Sequence, residues 1–343
     1  MQSLPDHILG LILRHVDLPT LATAEASCSS LYRVGAAITL DSAISNSPSV
    51  CTSIEPLSQE YIGFVRWLRR HAPQFRSVVI TADDTDLANA IGSALVDARA
   101  LKVLSVVSSP TSFFCNWSVP AALACAAPRS SLPQVETMCL GRSVHSATFL
   151  NEFQASLRTL SIATVSPDQT REVLSLDLPR LEHLKINIPE PLEVTINDPV
   201  PGFPLLKHLS LRHLSMAHGS RPIPLPPALE TLQLNRCGSL ATFRLDGMRV
   251  VSGLVVTDMA FPTSLDLSAL AELSLCLGAS RHIPESVVMP MLRRYSAEHT
   301  NVSMRMAQMP NLWCAALGTN CFGDTSWLLD VPHVYYLSPN VSL

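Results

Sequence analysis

Leu181-Glu-His-Leu184-Lys-Ile186 and Leu206-Lys-His-Leu209-Ser-Leu211 are one phrase written twice, and it returns as Leu229-Glu-Thr-Leu232-Gln-Leu234 and Leu270-Ala-Glu-Leu273-Ser-Leu275. An apolar residue, two free positions and an apolar-x-apolar pair suit a short strand, because alternate residues of an extended chain point to opposite faces. Followed outward in register, the phrase starts at Phe75, Leu101, Val135, Leu157, Leu181, Leu206, Leu229, Val251, Leu270, Leu292, Leu312 and Val334. Spacings run from 19 residues (Val251 to Leu270) to 34 (Leu101 to Val135). A second signal keeps the same phase. Pro133, Pro179, Pro204, Pro227, Pro290, Pro310 and Pro332 each lie two residues before a start, where a residue with fixed φ and no N–H suits the loop leading into a strand.

A repeat of this length and pattern is that of leucine-rich repeats, which bury a core by stacking neighbours and expose a ladder of parallel strands. The fold class expected is therefore α/β, with a solenoid of about twelve irregular repeats over residues 73–343. The return segment Thr85-Asp-Leu-Ala-Asn-Ala-Ile-Gly-Ser-Ala-Leu-Val-Asp-Ala-Arg has helical spacing, and Asp83-Asp-Thr-Asp86 reads as a polar turn capping it. Ile188-Pro-Glu-Pro-Leu reads as a loop or extended turn. At the ninth repeat position, where Asn or Cys commonly satisfies backbone groups at the turn, only Cys237 and Asn320 match; other copies have Pro189, Leu214 and Gly278.

Composition agrees with a large core. Hydrophobic residues are 47% and charged residues 15% of the 343, which excludes a disordered chain. A net charge of -4 offers no electrostatic ground for nucleic acid or an anionic membrane as partner. No apolar run reaches membrane-spanning length, and the N-terminus lacks the cationic start and cleavage site of a secretory signal, so the expected location is cytoplasmic, nuclear or both. The nine cysteines include no C-x-x-C, and Cys139, Cys237, Cys276 and Cys314 fall on repeat positions, as reduced packing residues would. Asn-x-Ser triplets at Asn116, Asn301 and Asn340 matter only in a secreted protein.

Ahead of the repeats, Leu4-Pro5-Asp-His-Ile8-Leu9-Gly-Leu-Ile12-Leu13-Arg-His-Val16-Asp-Leu18-Pro-Thr-Leu21 is patterned as a helix. Its apolar stripe is 8, 9, 12, 13 and 16, and Asp17-Leu-Pro19 breaks it. A second helical run reaches Cys28-Ser-Ser-Leu31-Tyr32. This segment resembles an F-box, and with leucine-rich repeats behind it the chain resembles the F-box/leucine-rich-repeat family. His7 stands where that family usually has Glu, and Leu31 where Trp is common.

The resemblance implies an F-box-like helical domain over 1–41 that binds a Skp adaptor, and through it cullin, by way of Leu4, Pro5, Ile8, Leu9, Ile12, Leu13, Leu18, Leu21 and Leu31. It implies a non-catalytic, substrate-recognising subunit of a ubiquitin ligase. Read without the resemblance, the same helices are a cap on the first repeat, and the protein a scaffold or inhibitor. Residues 42–72 then comprise a Ser/Pro/Asn-rich linker (Ser42 to Pro56) and a connecting helix, with apolar residues at 61, 64, 65 and 68 and basic ones opposite.

No nucleophile elbow, zincin, P-loop or dinucleotide fingerprint occurs. His208, His213 and His218 do not converge along a strand and loop, so neither metal nor cofactor is expected. Function then rests on the ladder, whose third, fifth and seventh positions face solvent. Early copies present Thr137, Cys139 and Gly141; later ones present Glu272, Arg294 and Glu298. The middle copies are richest in donors and positive charge: His183, Lys185 and Asn187, then His208, Ser210 and Arg212, then Thr231, Gln233 and Asn235. Strands about 4.8 Å apart make these one surface, suited to an acidic or polar segment of a protein partner.

Overall fold

In a computed structural model of the chain, the third residue of each phrase but the last opens a strand. The structure describes residues 52–53, 65–66, 68–70, 72–81, 85–107, 117–126, 132–194, 203–216, 223–224, 226, 228–237, 243–244, 253–257, 270–276, 287–298, 305–318, 321, 323 and 325–336. The F-box-like segment, with every residue assigned to adaptor binding (Leu4 to Leu31), lies outside them. The chain divides into two compact units, Met1–Ile162 and Ala163–Leu343.

In the first unit β1 (Thr52–Ser53), β2 (Ser77–Thr81), β3 (Val103–Val107), β4 (Thr137–Arg142) and β5 (Thr159–Ala163, whose last residue falls past the boundary) lie side by side in chain order. The first three pairs are parallel. β1 corrects the reading of 42–56 as linker alone, since Thr52 and Ser53 pair with Ile80 and Thr81.

In the second unit the described strands are β6 (His183–Val194), β7 (His208–Met216), β8 (Ile223–Pro224), β9 (Thr231–Asn235), β10 (Phe243–Arg244), β11 (Gly253–Thr257), β12 (Glu272–Cys276), β13 (Arg294–Ala297), β14 (Cys314–Leu317) and β15 (His333–Tyr336). Their order is β6-β7-β9-β11-β12-β13-β14-β15, all parallel. β8 and β10 pair separately, also in parallel.

The phrase predicts strand position at every start except the last. β15 begins at His333, paired with Cys314, which makes Val331 the first residue of that phrase and moves its start three residues from Val334. Val331-Pro-His-Val334 offers two apolar candidates at that spacing, and the structure buries Val331 while leaving Val334 half-covered. In the copies whose side chains are described, the first, fourth and sixth positions form the core, as in Leu181, Leu184 and Ile186 or Leu229, Leu232 and Leu234, all buried. Each buried leucine contributes about 1.5–3 kcal/mol.

The backbone repeats as faithfully as the side chains. The N–H groups of Lys207 and His208 both donate to the Glu182 carbonyl (2.8 and 3.0 Å), and those of Glu230 and Thr231 to the Lys207 carbonyl (2.8 and 2.9 Å). The proline phasing has a turn behind it. Leu181, Leu206, Leu292 and Leu312 each donate to the carbonyl three residues back (Leu178, Phe203, Met289, Met309; 3.0–3.2 Å), which puts Pro179, Pro204, Pro290 and Pro310 second in a four-residue turn, where a φ near -65° fits.

The returns are mixed. The expected helix is present as α1 (Thr85–Ala94), with Asp86 in its first turn and a short 3-10 turn after it. α2 (Ser118–Ala126) occupies the longest interval. α3 (Pro167–Leu174) owes its start to capping: Ser166 accepts from the Gln169 N–H at 3.2 Å and Pro167 takes the first turn. The Ile188–Leu192 stretch is not a loop, because β6 runs through it with a register shift between Asn187 and Leu192 before pairing on with β7. Of the connecting helix, Val65, Arg66 and Leu68–Arg70 are helical, with Leu68 buried and the arginines exposed as the stripe requires. Among the described residues no helix is long and apolar enough to cross a membrane.

Candidate binding ladder

Nine residues of the middle copies stand in a regular grid on β6, β7 and β9. Register sets His183 beside His208 and Thr231, Lys185 beside Ser210 and Gln233, and Asn187 beside Arg212 and Asn235. All are exposed or half-exposed, while the alternating leucines and isoleucines are buried. The sequence assigned these nine residues to one surface, and the strands bring all nine together.

The grid carries its own hydrogen bonds. The His183 and His208 rings stack with centroids 4.3 Å apart and planes 16° apart. His208 Nδ1 bonds the Thr231 hydroxyl, and Ser210 donates to Gln233 Oε1 at 3.1 Å. Loss of water around His183, and then the neighbouring His208, lower the His183 pKa from its ordinary value. Asn187 Oδ1 is covered and has no hydrogen-bond partner among the described residues.

Charge separates this grid from its flanks. Lys102 meets Glu136 at 2.7 Å, Lys207 meets Glu182 at 3.2 Å and Arg294 meets Glu272 at 3.0 Å. These exposed pairs are each worth about 0.2–1 kcal/mol, and the hydrogen bond from Lys102, with its charge, holds the Glu136 carboxyl below the usual range. Lys185 and Arg212 form no ion pair with any described residue, and no carboxylate occupies the nine grid positions. Among the described residues, the grid's two cations are therefore left without an ion-pair partner.

The second position of each phrase belongs to the site's electrostatics and was not among the residues expected from sequence. It reads Lys102, Glu136, Arg158 in the first unit and Glu182, Lys207, Glu230 in the second; the alternation is visible in the sequence once that column is aligned. The eighth and ninth positions shape the turn beyond the grid. His213 and Arg236, both eighth, have φ of 59° and 52°, the left-handed region that costs a side-chain-bearing residue. His213 is buried, and its Nδ1 lies 2.8 Å from the Ile188 carbonyl and 3.0 Å from that of Pro189. Cys237 does what the ninth position requires: its buried Sγ donates to the Leu211 carbonyl at 3.5 Å. Asn320 lies outside the described residues; Cys321 donates to the Ala297 carbonyl at 3.3 Å.

His208 and His213 thus face opposite ways, one on the grid and one in the core, while His218 lies outside the described residues. Among the described residues no three His, Cys, Asp or Glu side chains are grouped to hold a metal ion. The described cysteines at 125, 139, 237, 314 and 321 are free thiols. No protein-family model matches the chain, and no curated protein sequence matches it.

Proposed function

We propose that the chain is the substrate-recognition subunit of a Skp/cullin/F-box ubiquitin ligase, with a leucine-rich-repeat solenoid carrying the recognition face. The observation that carries the recognition half is the grid on β6, β7 and β9: one polar, cation-bearing surface assembled from the same positions of consecutive phrases. The adaptor half rests on the F-box resemblance of Leu4 to Leu31. The partners are a Skp adaptor with its cullin and a target protein. The chain supplies no reacting group. It acts by proximity, raising the effective concentration of a target lysine near an enzyme held elsewhere in the assembly, in the cytosol or nucleus.

Two measurements test the two halves. In a pull-down with purified Skp adaptor, the full chain is retained and an Ile8→Asp/Ile12→Asp variant with unchanged circular dichroism is not; failure of the wild type to bind rejects the ligase and favours a scaffold whose N-terminal helices cap the repeats. In cells, proximity labelling compares wild type with Lys185→Glu/Arg212→Glu. Targets read by the grid leave the labelled set in the variant, and an unchanged set rejects the grid as the recognition face.

A further inference from the structure

We propose that the grid seats an anionic oxygen group of the target protein, a carboxylate or a phosphoryl group, over the His183–His208 stack, and that this binding takes up one proton. The inference rests on the reading of the grid as the target-binding face.

Two parallel imidazole planes 4.3 Å apart are compatible with two neutral rings or one charged ring, while two imidazolium charges at that distance repel. His208 uses Nδ1 on the Thr231 hydroxyl, which leaves Nε2 with no partner among the described residues. His183 makes no hydrogen bond with any described residue, so both rings hold donor capacity in reserve. The charges that act on His183 are Glu182, Lys207 and Glu230, each the residue before a strand, together with His208; Lys185 lies two residues beyond His183 on β6 and Arg212 four residues beyond His208 on β7. Glu182 and Lys207 pair with each other, whereas Lys185 and Arg212 have no carboxylate partner among the described residues. An arriving anion meets a pair of rings that gain from charging beside it, with Lys185 next along the same strand face and Arg212 farther on, neither ion-paired with a described residue. One proton moves from solvent to one imidazole nitrogen, and the bound anion balances it; repulsion across the stack prevents a second. A cation is the poorer ligand, since parallel rings set their nitrogens side by side instead of converging and no third ligand is grouped with them.

The test follows the imidazole resonances of the full chain by NMR between pH 5 and 8 in sodium chloride, sodium sulfate and sodium acetate at matched ionic strength. Sulfate stands for a phosphoryl group and acetate for a carboxylate. The expected result is a saturable rise in the titration midpoint of one ring of the pair by about 0.5–1 unit, a roughly three- to tenfold preference of the anion for the protonated protein. A rise in sulfate alone assigns a phosphorylated target, and a rise in both assigns acidic side chains as well. His208→Asn and Lys185→Met/Arg212→Met are each expected to remove the anion dependence. Equal midpoints in all three salts overturn the proposal. If they are equal while Lys185→Glu/Arg212→Glu still strips targets in cells, the recognition face stands without the anion seat; if sulfate shifts the midpoint but the charge reversal leaves the labelled set unchanged, the target is not the source of the anion and the proposal falls with the recognition reading.

Discussion

Gly92 is the position where two principles give opposite signs. It lies inside α1, buried, and a Cβ there would stand 2.8 Å from Ala122 Cβ, 3.0 Å from the Leu123 nitrogen, and closer still to the Val119 carbonyl oxygen, all on α2. Helix propensity alone makes Gly92→Ala stabilising by about 1 kcal/mol, and burial of one methyl adds about 0.8 kcal/mol. Carbon contacts are comfortable at about 3.5–4.0 Å, however, and the nearest obstacle is backbone that cannot rotate away. Moving α2 back costs about 1–3 kcal/mol for overpacking and forfeits the burial gain. The clash outweighs propensity, and Gly92→Ala is expected to destabilise the first unit by up to about 2 kcal/mol. Asn89→Ala, on the exposed side of the same helix, removes no packing and is expected to stabilise by about 0.5 kcal/mol. Urea unfolding of the three proteins, with hydrogen exchange of the α1 and α2 amides as a local readout, separates the cases. Gly92→Ala at or above wild-type stability would refute the close approach of α1 to α2.

Three further outcomes follow from single residues. Tyr295 occupies a core position of its phrase with its hydroxyl buried and without a hydrogen-bond partner among the described residues, so Tyr295→Phe is expected to raise stability by about 1 kcal/mol while keeping the edge-to-face contact with Trp327; thermal melts check the sign. The His183 pKa is lowered in the folded protein, so the unfolded chain takes up more protons, and the residue's stabilising contribution, present above its unfolded value near 6.5, fades as pH falls through the folded value; His183→Asn is expected to flatten the pH dependence of stability between pH 7 and 5. Burial pushes the Cys237 thiol up to about 11, whereas Cys125 is exposed; Ellman's reagent is expected to modify Cys125 promptly and Cys237 only on unfolding, as mass spectrometry of the labelled peptides checks.

Much of this protein is legible because its phrase is redundant. Strand position at Leu181, Leu206 and Leu229 needed only the alternation of apolar residues, and prolines in phase reinforced it. The nine-residue grid followed, since residues at the same position of parallel neighbours stand side by side. Where two apolar candidates share the spacing, as at Val331 and Val334, the pattern is ambiguous and pairing with Cys314 decides. The Ile188–Leu192 stretch was misread because its prolines suggest a loop, yet the structure keeps it extended beside β7 past a register shift.

The sequence by itself determined the repeat, the inward leucines and the outward polar grid, because these depend on local alternation and on a phrase that every copy shares. Tertiary structure alone decided which side chains engage one another. The stacking of His183 on His208, the bond from His208 to Thr231 and the left-handed turn at His213 join residues more than twenty positions apart or fix torsions that no single phrase encodes, and the lack of ion-pair partners for Lys185 and Arg212 among the described residues likewise depends on which copies stand beside them. Their energies depend on distance and orientation across strands, which exist only once the neighbouring copies have stacked.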